Sequence, residues 1–201
     1  GLREVSVAGR ELRINGAAVY LRGTDYHTDA PLRGHGVDAV TIARDAALMR
    51  SMGLNAFRTN SWPTPELLLD LADEMGLMVW QEMIFACALY PRDSDFLSLV
   101  GREVGEQVAR LSTHASVVIW GGSNENEYAF TWYNESNANR DLFVEDYVKL
   151  YLDTIRPAIV AADADARPFV DSSPSNELVS TTPYVKRWGP SQAPSWGDKH
   201  D

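Results

Sequence analysis

From Asp38 onward, short apolar runs alternate with longer stretches of helical period, and this alternation constrains the fold more than any other feature of the chain. Asp38 is placed to cap a helix that carries Ile42, Ala46 and Met49 on one face and stops at Gly53. Leu54 to Arg58 reads as a short buried strand. Thr64-Pro65-Glu66 is a helix start, with a capping hydroxyl, a proline in the first turn and an acid near the positive end of the dipole. The helix that follows uses Leu68, Leu71, Ala72 and Met75 and ends at Gly76. Leu77 to Trp80 is the next strand, followed by a loop over Ala86 to Arg92. A long helix then places Phe96, Val100, Val104, Val108 and Leu111 at steps of four and three. Val117 to Trp120 is again an apolar strand. A helix from about Val144 to Ala161 aligns Tyr147, Tyr151 and Ile155, and Phe169-Val170 is a final strand.

The start of the chain behaves differently. Arg3 to Val7 and Leu12 to Arg22 alternate like strands, with turns at Ala8-Gly9-Arg10 and at Asn15-Gly16, the latter a good hairpin signal. Val19-Tyr20-Leu21 runs into Arg22-Gly23, a strand followed by a break. The order is therefore a hairpin and then β-α-β-α-β-α-β-α-β. Short strands that are apolar on both faces belong to a parallel sheet covered by helices, which makes the fold α/β. A doubly wound sheet and a barrel both fit. No glycine-rich phosphate loop follows the first strand, which lowers the dinucleotide-binding reading.

Charge narrows the partners. The chain of 201 residues carries 28 acidic and 18 basic side chains, a net −10. Such a surface repels phosphate backbones and anionic lipid heads, so neither a nucleic acid nor a membrane is expected as partner, and it suits a neutral ligand. Cys87 stands alone, so no intrachain disulfide and no cysteine zinc site can form; a single thiol weakly favours a reducing compartment such as the cytoplasm. The His, Asp and Glu positions show no metal-ligand spacing, and no metal or cofactor is expected. The first residues, Gly-Leu-Arg-Glu-Val, lack an initiator Met and a targeting pattern, and read like a cut inside a longer chain. No apolar run approaches the roughly 18 residues that span a membrane.

Polar residues gather where strands end. Asp25, Tyr26, His27 and Asp29 follow the first; Arg58, Asn60 and Trp62 the second; Gln81 and Glu82 the third; Asn124, Glu125 and Glu127 the fourth; Asp171 and Ser172 the fifth. In a barrel these ends share one mouth, where active sites are built. Carboxylates, amides, a guanidinium and indoles there suit a neutral polyhydroxylated ligand. The segment Val117-Val-Ile-Trp-Gly-Gly-Ser-Asn-Glu-Asn-Glu127 delivers Asn124-Glu125 from a buried strand through small residues. A glycosidase needs one carboxylic acid to protonate the leaving oxygen, with its pKa raised towards neutrality. Glu125 meets that description. It equally fits a solvated glutamate at the start of a helix, where the dipole favours an acid.

That segment resembles the acid/base motif of glycoside hydrolase family 2, in the Trp-Ser-Gly-Asn-Asn-Glu-Asn-Glu form of its β-mannosidases. Val79-Trp-Gln-Glu-Met-Ile-Phe-Ala-Cys-Ala-Leu-Tyr-Pro91 is similar to their Trp-Gln-Asp-Phe-Met-Phe-Ala-Cys-Ala-x-Tyr-Pro stretch. Arg167 to Asn176, followed by Gly197-Asp198-x-His200, resembles their fifth and sixth strands. Arg3-Glu-Val, Leu12-Arg-Ile-Asn-Gly and Leu21-Arg-Gly23 resemble the family's approach to its barrel. The resemblance implies a (β/α)8 TIM barrel, truncated to about strands 1 to 6, with residues 1–17 a β-hairpin and 18–201 an incomplete catalytic domain. It further implies a retaining mechanism on terminal β-mannosides. Glu125 would be acid then base, Asn124 would bond the sugar 2-hydroxyl, Arg58 would position the nucleophile, and Trp132 and His200 would lie near the sugar.

Two departures qualify this. After the second strand the β-mannosidases carry Arg-Val-Trp-Gly-Gly-Gly, whereas this chain has Arg58-Thr-Asn-Ser-Trp-Pro63, closer to the galactosidase and glucuronidase members. Another exo-glycosidase of the family, of β-galactosidase or β-glucosaminidase type, and a non-catalytic carbohydrate-binding homologue therefore stay open. The family's nucleophile is a glutamate near the end of strand seven, so these residues alone are expected to show no turnover, and open sheet edges are expected to promote self-association. For the remaining residues the expectations are structural. Glu82 sits where the family has an acid and is structural rather than catalytic, and Glu127 supports the loop; His114 and Cys87 are structural, Cys87 as a small buried apolar group; Trp80 and Trp120 are wall and core. Trp188 and Trp196 fall in a loop with no assigned function.

Overall fold

A computed structural model describes residues 3–8, 11–27, 38–59, 64–163 and 167–175. The N-terminal part is an antiparallel sheet of three strands: β1 (Val5–Ala8), β2 (Glu11–Ile14) and β3 (Ala17–Val19). Asn15 and Gly16 take positive φ, at 51° and 80°, which is the backbone a tight hairpin turn of this kind requires. The expected Asn15-Gly16 turn is therefore used, and the hairpin gains a third strand; Gly9 and Arg10 of the other expected turn lie outside the described residues.

The main sheet has five parallel strands in sequential order: β4 (Gly23–Tyr26), β5 (Ala56–Thr59), β6 (Met78–Ala86), β7 (Val117–Asn124) and β8 (Phe169–Val170). Helices α1 (Ala39–Ser51), α2 (Glu66–Met75) and α3 (Ser94–Leu111) fill the crossovers. After β7 come a 3-10 turn (Tyr128–Thr131), α4 (Asn134–Ala138), α5 (Arg140–Tyr147), a π-helical stretch (Val148–Ile155) and α6 (Arg156–Ala162). A doubly wound sheet reverses its strand order at a switch point. This sheet does not, and its helices pack on one face only, as in a barrel wall.

Two apolar clusters result. On the outer face Phe57, Val79, Met83, Val117 and Trp120 pack against Ala46, Leu68, Val104, Tyr151 and their helical neighbours. On the inner face Ala56, Met78, Val118 and Ile119 meet Val5, Leu12, Ile14 and Val19, so the antiparallel sheet closes the barrel interior at the N-terminal end. At about 25 cal/mol per Å2 of apolar surface, sealing that end is a main stabilising role for the first residues.

Local details differ from the sequence reading in four places. Barrel strand one lies at Gly23–Tyr26, not at Val19–Leu21, because Val19 pairs with Leu12 and the Asn55 side chain bonds Tyr20 O (2.9 Å) and Arg22 N (2.7 Å) where the chain leaves that pairing. β6 and β7 run on to Ala86 and Asn124, since parallel pairing continues through Phe85↔Ser123 and Ala86↔Asn124. Thr64 does not cap α2; its hydroxyl is buried against the Gln81 amide, and Pro65 stands at the cap without a side-chain bond. The last helix begins at Arg140 and includes a π segment, in which Thr154 Oγ1 donates to Lys149 O at 2.8 Å. Asp38 caps α1 as expected, accepting from Thr41 N at 2.9 Å, and Ile42, Ala46 and Met49 are buried. The expected sixth strand lies outside the described residues.

Candidate active site

Inward-facing positions of four adjacent strands converge on Arg58. Within the sheet register Asp25 lies opposite Arg58 and Arg58 opposite Trp80. The guanidinium donates from Nη1 to Asp25 Oδ1 and Oδ2 (3.2 and 3.0 Å), from Nε and Nη2 to Glu82 Oε1 (2.9 and 2.6 Å), and from Nη2 to Asn124 Oδ1 (2.9 Å). The Trp80 ring centroid lies 5.9 Å from Arg58 Cζ. The Glu82 side chain is wholly buried at 0% exposure and that of Arg58 is 11% exposed, so the pair is desolvated and strongly coupled. Asp25 and Glu82, expected just past strand ends, sit inside β4 and β6. Carboxylates are tolerated there because one cation serves both. A cavity of about 250 Å3 lies beside this cluster, lined by Leu21, Thr24, Asp25, Arg58, Trp80 and Val118.

Asn124 is the last residue of β7, and Glu125 follows at φ 59°, a left-handed conformation that non-glycine residues adopt only when held. Glu125 N–H donates to Ser173 O (2.8 Å), and Glu125 O accepts from Ala129 N (2.8 Å). The Asn124 amide is fixed from two sides: its oxygen accepts from Arg58, and its nitrogen donates to Cys87 Sγ at 3.3 Å. Gly121 and Gly122 are required here. A Cβ on Gly121 would fall 2.5 Å from Glu82 Cγ and 2.8 Å from Trp80 Nε1, and one on Gly122 would fall 2.5 Å from Asp171 O.

Beneath the loop after β7 lies a buried polar layer. Asp171 Oδ2 accepts from Tyr147 OH at 2.7 Å, Tyr151 OH from Asn126 Nδ2, and Ser172 Oγ from Glu127 N–H at 3.2 Å. Burial pushes the Asp171 carboxyl up, against the hydrogen bond from Tyr147, and pushes the Tyr147 phenol well above its ordinary value, with the Asp171 charge adding to it. Glu127 is buried among these groups.

The structure thus brings Arg58, Asn124 and Glu125 together, with Asp25 and Glu82. Trp132, 39% exposed, stands in an aromatic group with Tyr128 and Tyr133, at centroid distances of 5.2 and 6.4 Å, and this group reaches the site through Tyr133 OH, 3.5 Å from Cys87 O. His200, Trp188 and Trp196 lie outside the described residues, as do Asp29, Asn60 and Trp62. Tyr26 turns its ring to the helices, against Phe57, and burial together with the Asp45 carboxylate pushes its phenol up to about 12. Trp80 faces the barrel interior, while Trp120 is core, its indole N–H on Asp163 at 2.7 Å. Cys87 was expected to be a buried apolar group, and the structure corrects this. The thiol is exposed beside Glu125, with Sγ 3.5 Å from Glu125 Oε2, because β6 continues far enough to bring it level with the end of β7. Nothing local in the sequence marks that contact. Among the described residues no group of His, Cys, Asp and Glu is arranged to hold a metal, and no helix is long and apolar enough to cross a membrane.

Comparison with known proteins identifies the domain family. The family model described as "Glycosyl hydrolases family 2, TIM barrel domain" matches residues 5–173. β-Mannosidase of Bos taurus is 38% identical over 191 residues, covering 88% of this chain and 21% of that protein. β-Glucuronidase of Canis lupus familiaris is 36% identical over 127 residues, covering 62% of this chain and 20% of its own length. The chain thus spans about a fifth of the curated relatives it matches. Among solved structures, β-D-mannosidase from Dictyoglomus thermophilum superposes with a TM-score of 0.77 at 23% identity, over 100% of this chain and 24% of that one. That likeness shows the fold, an α/β partial (β/α)8 barrel.

Proposed function

Because this chain belongs to glycoside hydrolase family 2, we propose that it forms the acid/base-bearing part of a retaining β-glycosidase that hydrolyses terminal β-D-mannosides. Glu125 protonates the glycosidic oxygen as the bond to the anomeric carbon breaks and a second carboxylate attacks that carbon. The same group then takes a proton from the water that releases the sugar. Asn124 bonds the 2-hydroxyl. Its amide has two N–H donors, and with its oxygen on Arg58 and one N–H on Cys87 a second N–H remains for the sugar. Arg58 orients the nucleophile, and Trp132 and His200 border the sugar. The nucleophile is assigned to none of the 201 residues, so this polypeptide alone is proposed to show no turnover.

The observation that carries this reading is the Arg58–Asn124 bond of 2.9 Å at the C-terminal end of the barrel strands, with Glu125 next in the chain. The sugar is drawn from the mannosidase relatives, whose similarity extends over more of the chain than that of the glucuronidases.

The test uses the full-length enzyme and a panel of nitrophenyl β-mannoside, β-galactoside, β-glucuronide and β-N-acetylglucosaminide. The mannoside is expected to give the highest kcat/KM. Glu125→Ala is expected to lower kcat/KM on unactivated glycosides by about 10²–10⁴-fold. Full activity in that variant would remove the acid/base assignment. Sugar binding without turnover by the wild-type protein would favour a carbohydrate-binding homologue.

A further inference from the structure

β6 and β7 are paired to their last residues, Ala86 opposite Asn124. One residue further on, both chains make the same unusual step: Cys87 at φ 51° and Glu125 at φ 59° are left-handed, although neither is glycine. Cys87 is held on both sides of its backbone. Its N–H donates to Asn124 O at 2.8 Å, and its C=O accepts from Tyr133 OH at 3.5 Å. The matched turns aim the two side chains at one another across 38 positions of sequence.

We infer that Cys87 is a positioning residue for the acid/base carboxylate: its thiol donates to Glu125 Oε2 at 3.5 Å while its sulfur accepts from Asn124 Nδ2 at 3.3 Å, tying the proton donor to the 2-hydroxyl ligand. This deepens the proposed function and rests on it.

The chemistry is consistent with the geometry. Although Cys87 is an exposed residue, partial burial pushes its thiol up and the hydrogen bond with Glu125 and its charge push it further, so the sulfur keeps its proton at neutral pH and is a donor. A thiol is a weak donor. It therefore restrains the carboxylate without forming a bond strong enough to compete with proton transfer to the departing oxygen. Orientation of the acid matters only where the leaving group needs a proton, so removing the thiol should affect substrates selectively. Asn124 keeps its bond from Arg58 in any Cys87 variant, which leaves sugar binding in place.

The experiment compares kcat/KM of the full-length enzyme on two glycosides of the sugar it turns over. One is the 2,4-dinitrophenyl glycoside, whose leaving group needs no proton; the other is the methyl glycoside, whose leaving group does. Cys87→Ala is expected to lower kcat/KM on the methyl glycoside by roughly tenfold to hundredfold, the scale of a misplaced catalytic group, and to leave the dinitrophenyl value within about twofold. Cys87→Ser, which keeps a donor, should restore most of the loss. Because alanine is strained at this φ, Cys87→Gly is made in parallel; glycine takes the left-handed backbone freely and also lacks the thiol, so it should show the same selectivity. Equal losses on both substrates in the glycine variant, or no loss on either, would overturn the inference. Glu125→Ala is the control. If it also fails to discriminate between the substrates, the acid/base assignment falls; if it discriminates and the glycine variant does not, only the role of Cys87 falls.

Discussion

At the scale of residues, the centre of the molecule is one guanidinium shared by acceptors on three strands, Asp25, Glu82 and Asn124. Its contact with Glu82 is the most deeply buried of the three, because the carboxylate side chain has no exposed surface. Removing one partner of a buried pair strands the other charge at a cost of about 3–5 kcal/mol, whereas replacing both by apolar or neutral groups can be nearly neutral. Arg58→Met should therefore lower stability by about that amount in denaturant unfolding, and Arg58→Met/Glu82→Gln should recover a large share. A double variant no more stable than the single one would argue against a stranded charge. The two glycines of β7 differ in what surrounds them. An alanine at Gly121 meets Glu82 Cγ at 2.5 Å and Trp80 Nε1 at 2.8 Å and so displaces the Arg58–Glu82 pair, whereas one at Gly122 meets the Asp171 carbonyl at 2.5 Å, which is backbone. Gly122→Ala should cost about 1–3 kcal/mol or more, the range for overpacking. Gly121→Ala should cost at least as much, because it also weakens the Arg58–Glu82 contact; thermal melts of both variants measure the losses.

At the scale of elements, α2 is fastened to the turn between α3 and β7 by His114. Its Nδ1 lies 2.8 Å from Asp73 Oδ2, its Nε2 3.0 Å from Glu66 Oε1, and Asp73 Oδ1 accepts from Ser116 N–H at 2.6 Å. Burial works to lower the imidazole pKa, and the hydrogen bonds with Glu66 and Asp73 outweigh it, leaving His114 raised. Both carboxylates are lowered: Glu66 chiefly by its bond with His114, and Asp73 by its bonds with Ser116 and His114, which outweigh burial. The two signs bound a window. The His114 contribution is complete below the ordinary imidazole pKa and is lost as pH rises through the raised value; the carboxylate contribution is present above the ordinary carboxylate pKa and is lost as pH falls through the lowered values. The melting-temperature difference between wild type and His114→Gln should thus be largest in mildly acidic solution and shrink on either side. A difference that does not vary with pH would sink this account. Half of the Glu66 side chain is exposed, so added salt should narrow the difference.

For the whole molecule, the described sheet ends at β4 on one side and β8 on the other, and Ile84 on β6 is 45% exposed. Expressed as these 201 residues alone, the polypeptide should self-associate through the β4 and β8 edges, which pair with no further strand among the described residues; light scattering showing a monodisperse monomer at high concentration would contradict this. The β-α alternation, the helix faces and the Asn15-Gly16 turn were legible in the sequence because each is written by residues within a few positions of one another. Asn124-Glu125 was visible for the same reason, as a polar pair delivered by an unbroken apolar strand. The links from Arg58 to Asp25, Glu82 and Asn124 span 33, 24 and 66 positions, and no local pattern records them. The lengths of β6 and β7 were likewise misjudged, because Gln81-Glu82 in β6 and Gly121-Gly122-Ser123-Asn124 in β7 look like loop until the Arg58 guanidinium is known to receive Glu82 and Asn124. Sequence alone, through local periodicity and chain stereochemistry, determined that this protein is a helix-covered parallel sheet with its polar groups at one end. Only the tertiary structure decided which of those groups meet, and that an exposed thiol stands beside Glu125, because contacts between parallel strands depend on register, which long crossovers leave unspecified until the sheet packs.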